Sequence, residues 1–326
     1  MNLTENTQTT RSGPGREFLS ALGWEDASCE LLAGDASARK YYRLRKGEHT
    51  AVLMDASRIP ESVPPFLQLN RHLAQLGFSV PGILARDASM GWLLLEDFGD
   101  ATFASMLDRS CEEDLYGLAT DVLVALHRHP QAVPGGLREY SPEKMLEALE
   151  LFVEWRIPAL PEPARASFRK AWQPALQAAH KVPCSLLLRD YHAANLMLLP
   201  ERQGIRQAGL LDFQDACQGP VTYDLVSLLE DARRDVPGLL REKMLARYLA
   251  EFPRVEREAF ADSLAILAAQ RHTRVLGIFE RLSRRDGKHE YRKLHSPRVE
   301  RLLWQALRHP ALAEVRGWME QYGPPD

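Results

Sequence analysis

Leu188-Arg189-Asp190-Tyr191-His192-Ala193-Ala194-Asn195 and, a little further on, Leu210-Leu211-Asp212-Phe213-Gln214-Asp215 are the stretches on which the reading of this chain turns. An apolar run leads into each first aspartate (Ser185-Leu186-Leu187-Leu188, then Ala208-Gly209-Leu210-Leu211), so each carboxylate is expected where a short buried strand opens into a loop. Phosphoryl transfer from ATP to a hydroxyl needs one group to accept a proton and hard oxygen donors to hold magnesium. Asp190 is the candidate base, and Asn195 and Asp212 are the candidate Mg²⁺ ligands. The spacing D-x-x-x-x-N followed by D-F is that of a protein-kinase catalytic loop and its metal-binding aspartate. Either half alone would equally describe aspartates capping strands in an ordinary α/β domain. Both halves, in order and each after an apolar strand, favour the kinase reading. Asp215 is a further candidate contact to metal or substrate, set against a solvated loop acid. His192 is read as a hydrogen-bonding scaffold more than a chemical group.

Upstream, Leu31-Leu32, Lys40 to Leu44 and Thr50 to Met54 read as a three-strand meander. Phe66, Leu69, Leu73 and Leu76 recur at helical spacing and are stopped by Gly77. Trp92 to Leu95 is another strand, running into Glu96-Asp97-Phe98-Gly99, with Asp100 expected to cap the next helix. The turn Gly34-Asp35-Ala36-Ser37 lies where kinases place a loop over the phosphates. Gly34 and Ser37 are therefore candidate nucleotide contacts, with Arg39 or Arg43 adding positive charge. The backbone of Glu96 and Phe98 is expected to read the adenine edge.

Beyond Asp100 the periodicity is mainly helical, with stripes such as Leu115, Leu118, Val122, Leu126 and Met145, Leu149, Phe152, Val153. Later helices are expected near 164–180, 224–232, 239–252, 257–282 and 297–307. The pattern predicts an α+β, bilobal, protein-kinase-like fold. Residues 1–16 form a tail, 17–97 a small β-rich N-lobe that covers the nucleotide, and 98–326 a larger, mainly helical C-lobe for catalysis and the acceptor. No P-loop, H-E-x-x-H, G-x-S-x-G or G-x-G-x-x-G is present.

Composition narrows the rest. The 326 residues can bury a large core, and a net charge of −3 argues against nonspecific nucleic-acid binding. The polar start lacks the apolar core of a signal peptide, and no apolar run approaches a membrane span. Four scattered cysteines without a C-x-x-C pair fit reduced thiols. A cytoplasmic monomer acting on a small molecule, with neither nucleic-acid nor membrane partner, is expected.

The chain resembles the aminoglycoside phosphotransferase family, which also includes choline and other small-molecule kinases. The resemblance runs from about Leu31 to past residue 300 and is most specific in Arg189–Met197, Leu211–Ala216, Gly219-Pro220-x-x-Tyr223-Asp224-Leu225 and Leu228–Arg234. These motifs are most similar to bacterial kinases that phosphorylate the anomeric hydroxyl of N-acetylmuramate and N-acetylglucosamine in cell-wall recycling. The resemblance implies ATP and Mg²⁺ as cofactors, Asp190 as base, Asn195 and Asp212 as metal ligands, and Asp224 as a buried brace of the catalytic loop. Arg271 and Arg274, three apart on a helix where family members close the acceptor pocket, are candidate contacts to the lactyl carboxylate. Two departures stand out. Leu188 occupies a position where the family often has His. Val52-Leu53-Met54-Asp55 lacks the strand Lys that grips the α and β phosphates, and the following helix has no acid to pair with one. Two rivals follow: a kinase for another alcohol, such as an aminoglycoside or choline, and a nucleotide-binding pseudokinase.

Overall fold

A computed structural model describes residues 8–9, 13–32, 39–107 and 112–323. The expected phosphate turn with Gly34 and Ser37 lies outside the described residues. The chain divides into two compact units, one comprising 1–102 and 197–214, the other 103–196 and 215–326.

The smaller unit is built on one antiparallel sheet. Its strands are β1 (Gln8–Thr9), β2 (Ser28–Leu31), β3 (Lys40–Lys46), β4 (His49–Asp55), β5 (Ile83–Asp87) and β6 (Trp92–Leu95), in the order β1-β2-β3-β4-β6-β5. Side chains alternate along each strand. Leu44, Leu53 and Leu94 therefore share one face, where they bury Leu19 of α1 (Arg16–Ala21) together with Ala27 and Cys29. The opposite face carries Tyr41 paired with Met54 and Arg43 paired with Val52. Helix α2 (Val63–Gln75) buries Val63, Phe66, Leu69 and Leu73, and the chain leaves it through Gly77 at φ +88°. Strand β5 has no counterpart in the sequence reading. It is an edge strand with Leu84 exposed, so its five residues carry little apolar alternation.

In the larger unit, β7 (Cys184–Leu187) pairs with β10 (Cys217–Pro220). Between them in sequence run β8 (Leu196–Leu198) and β9 (Ala208–Leu210), a hairpin that belongs almost wholly to the smaller unit. The Leu210 N–H donates to Ser79 O (2.7 Å), Ser79 Oγ to Arg206 O (2.6 Å), and the Leu198 N–H to Ala101 O (2.7 Å). The compact units divide after Thr102 and not at residue 97, and residues 197–214, Asp212 among them, group with the smaller unit. Sequence order hides this, because the hairpin is inserted within the helical part.

The helices of the larger unit are α3 (Phe103–Met106), α4 (Glu112–Arg128), α5 (Pro142–Arg156), α6 (Glu162–Ala179), α7 (Thr222–Leu229), α8 (Gly238–Ala250), α9 (Arg257–Asp286), α10 (His289–Ala306) and α11 (Ala313–Tyr322). Helix α9 is central, burying Ile266, Leu267 and Leu276 against Leu149 and Phe152 of α5 and Val299 of α10. At Gly277 an added Cβ would lie 2.5 Å from the backbone of Leu151 and Phe152, so only glycine permits this crossing. Helix α10 starts well before Pro297, where the sequence placed its beginning. Buried Val299 and Leu303 and the Arg292–Glu280 ion pair to α9 (3.0 Å) hold the turns on both sides, offsetting the proline's lost hydrogen bond. No described helix is long and apolar enough to cross a membrane.

Candidate active site

In the larger unit, the segment after β7 is held from beneath. Asp224, fully buried on α7, accepts the N–H groups of Leu188 (2.6 Å) and Arg189 (2.9 Å). Burial pushes its carboxyl up to about 7, against the pull of those two donors. Arg189 sits at φ +72°, a left-handed conformation that costs a residue with a Cβ roughly 1–2 kcal/mol. Three contacts hold it there. Its guanidinium lies 4.3 Å above the Tyr140 ring, and its carbonyl accepts from Ser227 Oγ and Arg271 Nη1, each at 3.3 Å.

Asp190 follows, with its side chain 39% exposed. Partial burial alone would raise its pKa, but Arg271, Arg274, His192 and Arg189 together hold it below the usual carboxylate value. At neutral pH it is an accessible anion able to accept a proton. Asn195 donates from Nδ2 to the Asp190 carbonyl (2.9 Å) and towards His192 Nε2 (3.3 Å). Its amide nitrogen serves the loop, and the amide oxygen is the end suited to a hard cation. His192 is buried, and burial brings its pKa down to about 4. As a neutral ring it accepts from Arg233 Nη1 at 3.1 Å. This is a scaffold role. Tyr191 completes the anchoring, donating from its hydroxyl to Ala119 O on α4 (2.8 Å).

The two arginines of α9 part company. Arg271 is buried, bound to the Arg189 carbonyl and 3.8 Å from Asp190 Oδ1, with its guanidinium 5.8 Å from the Tyr223 ring centre. Arg271 was expected to reach an acceptor carboxylate; its guanidinium is instead committed to the backbone and carboxylate of the Arg189–Asp190 segment. Arg274 is half-buried and acts on Asp190 only through space. Asp215 forms an exposed pair with Arg138 (3.1 Å), the environment of a solvated loop acid, not of a substrate contact.

In the smaller unit, Asp212 is exposed at φ +57°, a left-handed conformation that aspartate tolerates better than most side chains. Its Oδ1 accepts from Gln214 Nε2 (2.6 Å), and buried Phe213 stacks on Phe66 of α2. Tyr41 feels both Arg39 and Asp212, and burial pushes its hydroxyl up to about 12. Arg39, one residue before β3, donates to Ser62 Oγ (3.3 Å). Arg43, also a candidate nucleotide contact, is committed within the smaller unit. Its guanidinium is bound by Asp97 (2.8 Å), Asp100 (2.5 Å) and the Gly99 carbonyl (2.8 Å), so its charge is already neutralised. Asp100 was expected to cap the next helix, but α3 begins only at Phe103, which puts Thr102 and not Asp100 at the position before it.

The Glu96 N–H donates to Gly82 O (2.8 Å), and its carboxylate accepts from the Gly82 N–H (3.0 Å) and Arg202 (2.5 Å). Its amide proton is therefore committed within the sheet. Phe98 lies on the backbone of Gly209 beneath Arg202, whose guanidinium is 5.0 Å from the ring centre. Sequence reasoning missed Tyr41, Asp97, Arg233 and Tyr223. Each takes its contact from a partner distant in the chain, and although Tyr223 and Arg233 lie in stretches that carry the family resemblance, local spacing does not say what they touch.

Residues 28–260 match the model of a phosphotransferase enzyme family. The N-acetylmuramate/N-acetylglucosamine kinase of Caulobacter vibrioides is 35% identical, with 94% of this chain and 95% of that protein covered. The protein of the same name from Pseudomonas putida is 34% identical, with 92% and 91% covered. Among solved structures, an aminoglycoside 2′-phosphotransferase in complex with GDP superposes with a TM-score of 0.64 at 14% identity, covering 89% of this chain and 97% of that one. That likeness confirms the kinase-like fold, and on the extent of the family match the chain belongs to the phosphotransferase enzyme family.

Proposed function

We propose that this protein is a kinase that transfers the γ-phosphoryl group of ATP, with Mg²⁺, to the anomeric hydroxyl of N-acetylmuramate and N-acetylglucosamine. Such an enzyme would serve cytoplasmic recycling of the cell wall. The observation that carries the reading is Asp190: an accessible carboxylate, kept ionised by neighbouring cations, on a loop whose backbone is pinned by a buried acid. Asp190 would orient the sugar hydroxyl and take its proton as the phosphoryl group moves. Asn195 Oδ1 and the Asp212 carboxylate would each offer magnesium an oxygen, and the few protein ligands suit an ion that keeps water and phosphate in its shell. When bound, the metal would neutralise charge on the phosphates.

The cations around Asp190 also bear on the acceptor. Arg189, Arg271 and Arg274 disfavour a positively charged aminoglycoside or choline beside the base, and suit a neutral or acidic sugar. The missing strand Lys does not favour the pseudokinase reading. Met54 is fully buried at that point and leaves no damaged charge pair behind.

ATP consumption measured with a panel of N-acetylmuramate, N-acetylglucosamine, an aminoglycoside and choline tests the reading. Turnover is expected on the two N-acetyl sugars and is expected to fall roughly 10²–10⁴-fold in Asp190→Asn, the usual worth of a positioned proton acceptor. Turnover only on the cationic alcohols, or on none, would overturn it.

A further inference from the structure

Arg271, Arg274 and Arg281 lie along one side of α9, and the structure treats them differently. Arg271 is committed to the Arg189 carbonyl and Asp190. Arg274, one turn on, makes no hydrogen bond or ion pair among the described residues, although Asp190, Tyr140 and Tyr223 all feel its charge. Arg281 follows seven residues later, about 20° away around the helix and roughly 10 Å along it. Its Nε is buried without a hydrogen-bond partner. Burial and the like charges of Arg285 and Arg274 lower its pKa, offset only in part by Asp286 and Glu154.

Two neighbouring guanidiniums with no bound carboxylate repel each other and leave donors unsatisfied. The arrangement is relieved by an anion. Gly277 lies between them in sequence, where α9 meets the backbone of α5, so the helix cannot roll to carry these side chains elsewhere. Next to the base, the anion that fits is one carried by the acceptor itself.

We propose that Arg274 binds the carboxylate of an acidic N-acetyl amino sugar and that Arg281, behind it, strengthens the field at that subsite. Recognition of the carboxylated sugar then rests on Arg274, while Arg271 serves the catalytic loop. This deepens the reading of the protein as an amino-sugar kinase and rests on it. The carboxylate distinguishes N-acetylmuramate from N-acetylglucosamine, so the two sugars form the natural pair of probes.

The experiment measures kcat/KM for both sugars in wild type, Arg274→Ala, Arg274→Lys and Arg281→Ala. The quantity read is the ratio of the two values, in which effects on Asp190 and on folding cancel. Arg274→Ala is expected to lower the N-acetylmuramate to N-acetylglucosamine ratio roughly 10–100-fold, the range of a charge-assisted hydrogen bond. Arg274→Lys should recover part of the loss, and Arg281→Ala should lower the ratio by a few-fold. The methyl ester of N-acetylmuramate, of similar size and uncharged, should show no dependence of its own ratio on Arg274. An unchanged ratio in Arg274→Ala, or an equal loss on acid and ester, overturns the subsite while leaving the kinase reading intact. A wild-type protein inactive on both sugars overturns the kinase reading and the subsite with it.

Discussion

Phe213 stacks on Phe66 with ring centroids 5.3 Å apart and planes 20° from parallel. Phe213 is next in sequence to Asp212, and Phe66 lies on α2, the helix that carries no acid. In this chain α2 is therefore joined by an apolar contact to the segment of Asp212, the proposed magnesium ligand, and carries no acid for the strand Lys that many kinases pair with this helix. Phe66→Ala is expected to cost roughly 3–5 kcal/mol of stability. It should also raise the Mg²⁺ concentration for half-maximal rate, because Asp212 loses its footing. Phe66→Leu should retain most of both. Urea denaturation and a magnesium titration of the purified variants check the pair of effects, and an unaltered metal response would separate the stack from the metal site.

Arg43 and Asp97 form an ion pair at 2.8 Å with each side chain only 5% exposed. Removing one partner of such a pair leaves the other as a buried, uncompensated charge, which costs roughly 3–5 kcal/mol. Arg43→Met should accordingly lower Tm sharply, and adding Asp97→Asn should restore part of it. Arg39→Ala is expected to raise the KM for ATP more than Arg43→Met does, since the Arg43 charge is already consumed by Asp97 and Asp100. Equal KM effects from the two variants would return Arg43 to the nucleotide.

The same two arginines mark how far the sequence could be read. Strand alternation predicts one face for Arg39 and Arg43; β3 begins only at Lys40, and its register against β4 puts Arg43 opposite Val52, on the face of Tyr41 and Met54. Alternation says nothing of Asp97 and Asp100, which come from a segment more than fifty positions away and take the Arg43 guanidinium. Helices α2 and α4 to α9 were legible because each buries an apolar stripe, whereas α1, which buries only Leu19, and α11 had no counterpart in the sequence reading. The edge strand β5 and the start of α10 were not, the first for want of apolar alternation and the second because packing against α9 overrides Pro297. The Asp190, Asn195 and Asp212 motifs are local and so stood out in the sequence as candidates. The division of labour between Arg271 and Arg274 did not, because helical spacing gives two residues one face without saying which of them is buried.

Arg189 offers a test of backbone strain separate from side-chain loss. Both Arg189→Ala and Arg189→Gly abolish the contact with the Tyr140 ring. Only glycine adopts φ +72° without cost. The glycine variant is therefore expected to be more stable than the alanine variant by roughly 1–2 kcal/mol, read from their denaturation midpoints.

The acid limb of the pH–rate profile should be simple. Asp190 is held below the ordinary carboxylate range, and buried His192 is neutral down to about pH 4. No inflection near the usual histidine value is expected in kcat/KM, and activity should persist to about pH 5 as far as these two groups decide it. An inflection near pH 6.5 that vanishes in His192→Asn would show instead that His192 titrates in the working enzyme.

Asp224 makes the opposite kind of prediction. Its folded value of about 7 lies above the unfolded 3.8, so the folded chain binds the proton more tightly across that interval. Stability from this group is thus complete below about pH 4 and declines as pH rises towards 7. The reason is burial: ionising the carboxyl places a charge where only two backbone N–H groups answer it. Asp224→Asn removes the titration and replaces one accepting oxygen with an NH₂ facing an N–H donor, which costs roughly 1–3 kcal/mol at low pH. The stability advantage of wild type over the variant should therefore be largest near pH 4 and shrink by pH 8. Urea denaturation of both proteins across that range measures the difference directly, with the contributions of all other groups cancelling. An advantage that grows with pH would mean that Asp224 is ionised in the folded chain throughout and that its two N–H partners outweigh its burial.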